Sequence, residues 1–523
     1  MSERDTESGR MGLADHLAAP ASGMTVGELV AVQARIRPEA VAISEGGVTH
    51  TYGRLNDRVN RAAHVLAQQG IVRGDRVAIL SENRAEYLEL ALAAGKLGAI
   101  LAALNWRLAE GEQFHCIRLV SPRVLVASPR FAEMAARLDH GAEITIQLGE
   151  DYEERLAGAD ASEPIIAAQP EDGLLILYTS GTTGLPKGAL ISHRAQLARM
   201  QANCMDMGLS REGAFVAWAP MFHMASLDQS LHVLCVGGKV IVVDGWDGER
   251  IAHHVEEDRI WWLVLLPGMV EQMIEVARRR NLKPKGLGQI GAMADLVPAH
   301  QIAEVTRLLG APYVNTFGST ETGIPPLSAG YIPVGEVPTR LSKVQNSYCR
   351  FRLVDPEDQD VPDGTPGELA FRGPTLFSGY WNAAETNVQD FRGGWFHLGD
   401  MFLRRPEGSF DFVDRVKYMI KSGGENIYPA EIERVLLGDP RVDDAVVVRQ
   451  TDAQWGEVPV AFVARKDESL TEEDLALQCR EALAGYKQPK AIRFIPFEDL
   501  PRSTTGKIQR HEVEKWLEGE GES

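Results

Sequence analysis

YTSGTTGLPKG, residues 178–188, directly follows the short apolar run Leu174 to Leu177. Since turn-forming residues bound that run, it predicts a buried strand that leads into a glycine-rich loop. Glycine lets a backbone approach a ligand closely, and successive N–H groups in such a turn can bind an anion. Lys187 adds a mobile positive charge suited to phosphate. The candidate phosphate ligands of this loop are Thr179, Ser180, Gly181, Thr182, Thr183, Gly184 and Lys187.

The loop is not a Walker A phosphate loop. That pattern needs Gly directly before its Lys, and here Pro186 occupies the position before Lys187. Taken alone, the loop is also compatible with an ordinary turn between a strand and a helix. Other motifs of the chain therefore have to distinguish a phosphate site from a plain connection.

Composition and charge indicate a globular protein of more than one domain that does not bind nucleic acid. The chain has 523 residues, whereas a single domain typically has ~150. The hydrophobic fraction is 44% and the net charge is −19, with no long basic run. This charge disfavours nucleic acid and anionic membrane surfaces as partners. An anionic ligand must be held by local donors.

Cysteine usage and the N-terminus predict a cytoplasmic location. The five cysteines are scattered and show no CxxC spacing, which is typical of reduced, packed thiols. The N-terminal residues are charged and lack an apolar segment, so we expect a flexible tail over residues 1–23 and no secretory signal. No apolar stretch reaches the ~20 residues of a membrane span, which predicts no stable membrane insertion.

Hydrophobic patterning predicts an α/β fold with two domains. From Met24 onward, helical and strand-like segments alternate, which favours βα units and a mostly parallel sheet. From about Tyr348 short strands and turns predict a small β-rich subregion. The last hundred residues predict a compact α+β domain. We expect a large domain over 24–413, a hinge at 414–417 and a small mobile domain over 418–523.

Several further motifs fall where predicted strands end, which is where open α/β sheets bind ligands. PMFH ends at His223, although a single His is more often a packed or surface residue than part of a site. NTFGSTET, residues 315–322, places hydroxyls beside Glu321, a candidate Mg²⁺ ligand. The alternative is a helix N-cap formed by Ser319 or Thr320, with Glu321 in the first turn. GWFHLGD ends at Asp400, a candidate acceptor for ribose hydroxyls or a plain turn aspartate.

The C-terminal part adds three candidate stretches. Arg415 and Lys417 lie at the predicted domain boundary, and KSGGEN forms a second glycine-rich turn. TTGK presents Lys507 on a polar loop, where the alternative is an ordinary solvated lysine.

Together, in this order and spacing, the motifs resemble the adenylate-forming superfamily of acyl-CoA synthetases, luciferases and carrier-protein adenylation domains. The resemblance runs from about Thr25 to Leu517 and rests on YTSGTTGLPKG, FGSTE, HLGD, DRVKYMIKSGGENIYPAEIE and PRSTTGKIQR. It implies a large adenylation domain of stacked mixed and parallel sheets with a small β-barrel-like subregion, followed by a mobile C-terminal domain. It also implies activation of a carboxylic acid by ATP and Mg²⁺, giving an acyl-adenylate and pyrophosphate, and transfer of the acyl group to a thiol.

The resemblance assigns nucleotide ligands residue by residue. The glycine-rich loop would bind the β- and γ-phosphates, Glu321 would bind Mg²⁺, and Thr320 would contact the α-phosphate. Asp400 and Arg415 resemble the ribose ligands. Phe317 stands where the family usually has a Tyr that stacks on adenine. The remaining residues of the adenine site would be Gly291, Ala292, Gly318 and Ser319.

The resemblance also implies two catalytic conformations. Lys507 matches the lysine that bridges the attacking carboxylate and the α-phosphate, where charge builds in the transition state. In this family the small domain then rotates and the KSGGEN loop completes the thiol tunnel. Lys417 matches the hinge position. Leu398 stands where the family often has Thr, and Tyr418 stands where it often has an acidic residue. These two departures do not change the reaction class that the resemblance implies.

CoA is the thiol that the resemblance favours. Tyr486 could stack on its adenine and Lys490 could meet its phosphates. The loop residues expected at the tunnel are Ser422, Gly423, Gly424 and Glu425.

The expected acid pocket is apolar and offers no fixed cation, which predicts an aromatic or medium-chain monocarboxylate. His223 resembles the residue between this pocket and the thiol tunnel. The other wall residues would be Met224, Ala225, Gly291, Ala292, Met293, Thr316 and Ile324. Two alternatives stay open, an acid-adenylating enzyme that serves a carrier protein and a non-catalytic nucleotide-binding scaffold. A homodimer is compatible with the sequence.

Overall fold

The structure is a computed structural model that describes residues 22–138, 140–179, 185–423, 425–502 and 508–517. Contacts divide it into two compact units. The larger unit holds the described residues of Met1–Arg350 and Arg372–Gln389, and the smaller holds those of Phe351–Phe371 and Asp390–Ser523. The predicted hinge at 414–417 concerns motion, so the hinge and the domain limits on either side of it stay predictions.

An eight-stranded sheet forms one part of the larger unit. Its order is β16-β13-β12-β11-β9-β10-β1-β2, and all neighbours from β13 to β1 run parallel. Only the outer strands β2 and β16 pair antiparallel. The strands are β1 (Val41–Glu45), β2 (Val48–Thr51), β9 (Ala214–Ala217), β10 (Lys239–Val242), β11 (Ile260–Leu263), β12 (Leu287–Ile290), β13 (Tyr313–Val314) and β16 (Tyr331–Ile332).

A six-stranded sheet in the order β6-β5-β3-β4-β7-β8 carries the glycine-rich motif. Its strands run parallel except for β8, which returns antiparallel beside β7. The strands are β3 (Arg76–Leu80), β4 (Ile100–Ala103), β5 (Val124–Ala127), β6 (Ile144–Gln147), β7 (Gly173–Thr179) and β8 (Lys187–Ser192). A separate two-stranded ladder pairs β14 (Gly318–Ser319) with β15 (Gly323–Pro326).

Helices connect these strands, as the predicted βα alternation requires. Several begin at side-chain caps, such as the Thr25–Glu28 capping box and Ser192, which accepts from the Ala195 N–H. The helices are α1 (Val26–Ile36), α2 (Tyr52–Gln68), α3 (Ala85–Leu97), α4 (Glu110–Val120), α5 (Ala132–Arg137), α6 (Glu150–Ala157), α7 (His193–Met207), α8 (Leu227–Val236), α9 (Gly248–Glu257), α10 (Met269–Arg280), α11 (Ala299–Leu309) and α12 (Ala384–Asp390).

The strand that leads into the glycine-rich loop is anchored in a hydrophobic core. Ile176 and Tyr178 of β7 belong to one core cluster with Leu80, Ala102 and Leu125 from the parallel strands of the same sheet. The Tyr178 hydroxyl donates to the Cys116 carbonyl at 2.8 Å. Because this strand is buried on both faces, as parallel strands usually are, the loop that follows it starts from a fixed point.

The smaller unit contains a four-stranded and a five-stranded sheet. The first has the order β17-β18-β19-β20, and the second has the order β22-β21-β24-β23, with β25 parallel to β24. The strands are β17 (Arg350–Val354), β18 (Pro366–Arg372), β19 (Phe396–Arg404), β20 (Phe410–Arg415), β21 (Ile420–Ser422), β22 (Glu425–Ile427), β23 (Val442–Asp452), β24 (Gly456–Arg465) and β25 (Ala491–Phe494). The helices are α13 (Pro429–Leu436), α14 (Glu472–Ala482) and α15 (Arg510–Glu514).

The long hairpin β23–β24 is buried on both faces. Val447 and Val463 belong to one core cluster, which includes Ile432 and Leu475 from the helices. Their neighbours along the strands, Val446 and Phe462 among them, belong to a second cluster. Successive side chains of a strand point to opposite faces, so one hairpin supplies a core on each face of the five-stranded sheet.

The α/β fold class and its main elements are confirmed. The predicted buried strand Leu174 to Leu177 lies within β7, and the predicted alternation of helices and strands from Met24 onward is present. Among the described residues, no helix is long and apolar enough to cross a membrane.

Candidate active site

The glycine-rich motif connects two antiparallel strands. Thr179 at the end of β7 and Lys187 at the start of β8 are register partners. A hairpin therefore holds both ends of the motif, whereas the plain alternative was a turn from a strand directly into a helix. The predicted ligands Ser180, Gly181, Thr182, Thr183 and Gly184 lie outside the described residues.

The FGSTE motif forms a tight hairpin turn in the same unit. Ser319 Oγ accepts from the N–H groups of Glu321 and Thr322 at 3.2 and 3.3 Å. The chain then returns as β15, so the alternative of a helix N-cap at Ser319 or Thr320 is wrong. The reason is the short loop closed by Ser319, which turns the backbone back on itself before a helical turn can form.

A tyrosine that the sequence did not identify links these two motifs. The Tyr380 hydroxyl donates to Glu321 Oε1 at 2.7 Å. Lys187 Nζ lies 5.0 Å from the centroid of the Tyr380 ring, within the range of a cation–π interaction. The structure thus brings the predicted phosphate lysine and the predicted metal ligand to one aromatic side chain.

The residues predicted to form the adenine site and the carboxylic acid pocket lie at the carboxyl edge of the eight-stranded sheet. Gly291 follows β12 with φ +86°, and its carbonyl accepts from Trp262 Nε1 at 2.8 Å. The next carbonyl, of Ala292, accepts from the Tyr313 hydroxyl at 3.0 Å. Burial raises the pKa of Tyr313, which keeps this hydroxyl a donor. These bonds fix the backbone of a two-residue wall.

Met293 and Thr316 continue that wall. The Met293 N–H donates to Thr316 Oγ1 at 3.2 Å, which joins the segments after β12 and β13. Thr316 and Ile324 are buried, and Phe317 is half-buried. The main chain of Phe317 pairs with Leu327 in both directions at 3.2 Å, so the position of its ring is set by the backbone ladder.

His223, Met224 and Ala225 lie after β9 at the same edge of the sheet, and each is half-buried. The His223 carbonyl accepts from the N–H groups of Ser226 and Leu227 at 3.2 and 3.0 Å, which begins helix α8. His223 is therefore held by the turn that starts a buried helix. The parallel order of β9, β11, β12 and β13 places the carboxyl ends of these strands along one edge.

In the smaller unit, Asp400 and Arg415 form a pair across adjacent strands. They are register partners of β19 and β20, and Arg415 Nε lies 3.1 Å from Asp400 Oδ1. The Asp400 side chain is only 6% exposed, whereas the Arg415 side chain is 44% exposed. The guanidinium thus keeps the buried carboxylate paired and also reaches solvent.

The predicted hinge and thiol-tunnel residues also lie in the smaller unit. Lys417 Nζ lies 4.7 Å from the Tyr418 ring centroid. Ser422 is buried and pairs with Glu425 at the end of a hairpin, whereas Glu425 is exposed. The Gly423 N–H donates to the Trp455 carbonyl at 2.8 Å. Gly424 lies outside the described residues.

The predicted CoA contacts Tyr486 and Lys490 are both accessible. The Tyr486 side chain is exposed, with Lys487 Nζ 5.8 Å from its ring centroid. Lys490 is 58% exposed and lies 3.6 Å from Asp452. Lys507 lies outside the described part of the chain, and its role stays a prediction.

Two family models match the chain. The model described as AMP-binding enzyme matches residues 30–381, and the model of the AMP-binding enzyme C-terminal domain matches residues 431–507. The chain is 36% identical to a feruloyl-CoA synthase of Amycolatopsis sp over 92% of its own length and 97% of the relative's. It is 34% identical to an indoleacetate–CoA ligase of Aromatoleum aromaticum over 94% and 98%.

The chain belongs to the AMP-binding enzyme family. Its fold matches the o-succinylbenzoate CoA synthetase from Bacillus subtilis, solved in complex with an acyl-adenylate intermediate. The TM-score is 0.82 at 25% identity, covering 94% of this chain and 98% of the other.

This AMP-binding enzyme is an acid–thiol ligase that activates a carboxylic acid with ATP and transfers it to CoA. The predictions of the family, the fold and the reaction class are therefore confirmed, and the non-catalytic scaffold is rejected.

The sequence did not identify two further residues of this AMP-binding enzyme that contact the site loops, Tyr380 and Arg199. Arg199 does fall on the same helical face as the small buried residues Ala195 and Ala202, which is a detectable signal of burial. Tyr380 shows no comparable pattern, because its partner Glu321 is 59 residues away along the chain.

Proposed function

We propose that this enzyme makes the CoA thioester of an apolar monocarboxylate, with an aromatic acid as the first candidate and a medium-chain acid as the second. The observation that carries the proposal is the similarity to two ligases whose names specify aromatic monocarboxylates, ferulate and indoleacetate. The expected pocket wall supports it, because its side chains are mostly apolar and include no lysine or arginine. Met224 and Met293 would give that wall an adaptable surface.

In the first half-reaction, a carboxylate oxygen of the acid attacks the α-phosphorus of ATP. A bond forms between that oxygen and phosphorus, and the bond to the bridging oxygen of pyrophosphate breaks, so pyrophosphate leaves with the electron pair. A carboxylate and a triphosphate repel each other, so the site must neutralise charge and align the groups. We propose Lys187 and the loop 179–184 for the β- and γ-phosphates, Thr320 for the α-phosphate, and Lys507 for the developing charge.

We assign the rest of the nucleotide to residues that the sequence motifs identify. Phe317 would stack on the adenine, with Gly291 and Ala292 as the opposite wall. Asp400 would accept hydrogen bonds from the ribose hydroxyls, and Arg415 would hold that carboxylate in place. The two remaining residues of the adenine site would be Gly318 and Ser319.

The donor set fits Mg²⁺ with Glu321 as its protein ligand. The described residues hold no group of three or more His, Cys, Asp or Glu side chains that could bind a metal alone. A single carboxylate suits Mg²⁺, which keeps several waters and binds nucleotide phosphates. Tyr380 donates to one oxygen of Glu321 and so orients the carboxylate. When bound, Mg²⁺ would neutralise phosphate charge.

In the second half-reaction, the CoA thiolate attacks the acyl carbon, the carbon–sulfur bond forms, and AMP leaves with the electrons of the carbon–oxygen bond. We propose that the small domain rotates about Lys417 and brings the loop 422–425 to the thiol, with Tyr486 and Lys490 contacting CoA. His223 would lie between the acid and the thiol. A cytoplasmic location, no stable membrane insertion and a homodimer complete the proposal.

A screen of pyrophosphate release over aromatic, medium-chain and dicarboxylic acids, with and without CoA, tests the substrate class. We expect aromatic monocarboxylates to give the highest kcat/KM and CoA to be required for AMP release. Preference for a dicarboxylate would overturn the acid assignment. Efficient transfer to a carrier protein, with none to CoA, would overturn the thiol assignment.

A further inference from the structure

Arg199 is buried behind the FGSTE turn and uses its guanidinium on the main chain of that turn. Its side chain is 1% exposed. Nη2 donates to the carbonyls of Thr320 and Glu321 at 2.9 and 3.0 Å. Nε donates to the Thr375 carbonyl at 3.0 Å, and Nη1 donates to Asp228 Oδ2 at 2.8 Å. One guanidinium thus connects three segments that are distant in sequence.

The turn packs directly on the Arg199 side chain. Gly323 has φ +79°, and a β-carbon there would lie 2.8 Å from Cγ and Cδ of Arg199. Real β-carbons do not approach atoms so closely, so this contact depends on glycine at position 323. A side chain at position 323 would therefore displace either the turn or the Arg199 side chain.

The Thr375 contact connects Arg199 to the partner of the Glu321 carboxylate. Thr375 begins the segment that leads to Tyr380, whose hydroxyl donates to Glu321 Oε1 at 2.7 Å. The same segment donates from the Phe377 N–H to the Glu321 carbonyl at 2.8 Å. Arg199 therefore holds the main chain of Glu321 and also the segment that orients its carboxylate.

The buried Arg199–Asp228 pair contributes little net free energy of folding. Both side chains are almost fully buried, and desolvation of two charges offsets most of their attraction. Asp228 Oδ1 has no hydrogen-bond partner among the described residues. What the pair does provide is fixed geometry, because a planar guanidinium directs its donors along set lines.

We propose that Arg199, held by Asp228, is a positioning residue that orients Glu321 for MgATP. The inference rests on the proposed function of Glu321. Residues that orient a metal ligand contribute about 10- to 100-fold to metal affinity or activity. Loss of the guanidinium should therefore weaken nucleotide binding chiefly when Mg²⁺ is present.

The test measures ATP binding by calorimetry in the absence of acid, once with Mg²⁺ and once with EDTA. Arg199→Lys keeps the charge and loses the planar donors, and Asp228→Asn removes the charge that holds Arg199. Arg58→Lys is the matched control, because Arg58 also pairs with a buried carboxylate, that of Glu89. Denaturation curves of all variants establish that each is folded before binding is compared.

We expect Arg199→Lys and Asp228→Asn to raise the Kd for ATP on the order of 10-fold or more with Mg²⁺ and to change it little in EDTA. Arg58→Lys should lose comparable stability and keep the wild-type Kd under both conditions. If Arg199→Lys and Arg58→Lys behaved alike, Arg199 would be structural only, and the proposal would be overturned.

Glu321→Gln separates this inference from the function on which it rests. If Glu321→Gln bound MgATP as the wild type does, the metal assignment would fail, and with it the role of Arg199. If Glu321→Gln weakened MgATP binding and Arg199→Lys did not, only the positioning role would fail. In the double variant Arg199→Lys/Glu321→Gln, we expect the loss of MgATP binding free energy to be smaller than the sum of the two single losses. The reason is that Arg199 acts through Glu321. Additive effects would contradict the proposal.

Discussion

Tyr380 connects the two functional loops of the larger unit through one phenol. Its hydroxyl contacts Glu321, and its ring lies near the Lys187 ammonium. The position of a predicted metal ligand and that of a predicted phosphate ligand thus depend on the same side chain. A single atom of this side chain can be removed while the ring stays in place.

Tyr380→Phe should slow adenylation about tenfold or more, because a hydrogen bond to a charged group contributes about 1.5–3 kcal/mol. The ring near Lys187 is retained, so the change isolates the hydroxyl. Acid-dependent ATP–pyrophosphate exchange measures the effect. The matched control is Tyr152→Phe, which removes a 3.2 Å hydrogen bond to Glu89 elsewhere in the unit. Equal exchange rates in the two variants would contradict a role for the Tyr380 hydroxyl.

Gly291→Ala should destabilise the protein and raise the KM for ATP. A β-carbon at this position would lie 2.2 Å from the Tyr313 ring, and such overpacking costs about 1–3 kcal/mol. Urea denaturation and steady-state kinetics measure the two effects. Gly245→Ala is the control, because Gly245 has a similar φ of +80° but no atom within 4 Å of the added carbon. The difference between the variants is the cost of the contact alone.

At the level of elements, local patterns predicted most of what the structure contains. The apolar run of β7, the periodicity of α2 and the buried runs of β10 and β11 are signals carried by neighbouring residues. The contacts of Arg199 are different, because Thr320 is 121 residues away and Thr375 is 176 residues away. No periodicity in one segment specifies such partners. Sequence motifs could therefore identify the predicted site residues. They could not identify Arg199 and Tyr380, which contact those residues from distant segments.

The start of α7 should make the protein acid-sensitive. His193 Nδ1 accepts from the Val26 N–H at 3.2 Å, so the folded state needs a neutral ring. Burial lowers the pKa of His193 from 6.5 to about 4, although Asp172 opposes the shift. Between these values the unfolded chain binds a proton that the native protein does not, so stability falls as the pH falls. The free energy of unfolding should decrease by about 3 kcal/mol in total as the pH falls through this range.

We therefore expect His193→Asn, whose side-chain oxygen can accept the same hydrogen bond, to flatten the decrease in unfolding free energy between pH 6.5 and pH 4. Urea denaturation at several pH values measures the slope. The exposed His253 provides the control, and His253→Asn should keep the wild-type slope. A wild-type slope in His193→Asn would show that His193 does not titrate in this range.

For the whole molecule, charge imposes a requirement on the site. The net charge is −19, and ATP, CoA and the carboxylic acid are all anionic. The long-range field therefore opposes binding, and affinity has to come from cations at short range. Lys187 in the larger unit and Arg415 and Lys490 in the smaller unit are the described cations that we assign to substrates. Lys507 is the cation that we assign to the first half-reaction and not to the second.

Lys507→Ala should therefore affect the two half-reactions unequally. Loss of a group that stabilises transition-state charge costs on the order of 10²- to 10³-fold, so adenylation should fall by that factor. Formation of the thioester from supplied acyl-adenylate and CoA should stay near the wild-type rate, because the proposed rotation removes Lys507 from the site. Lys515→Ala is the control, since Lys515 is 55% exposed and pairs with Glu512. Single-turnover kinetics measure each step, and an equal loss in both half-reactions would contradict alternation between two domain orientations.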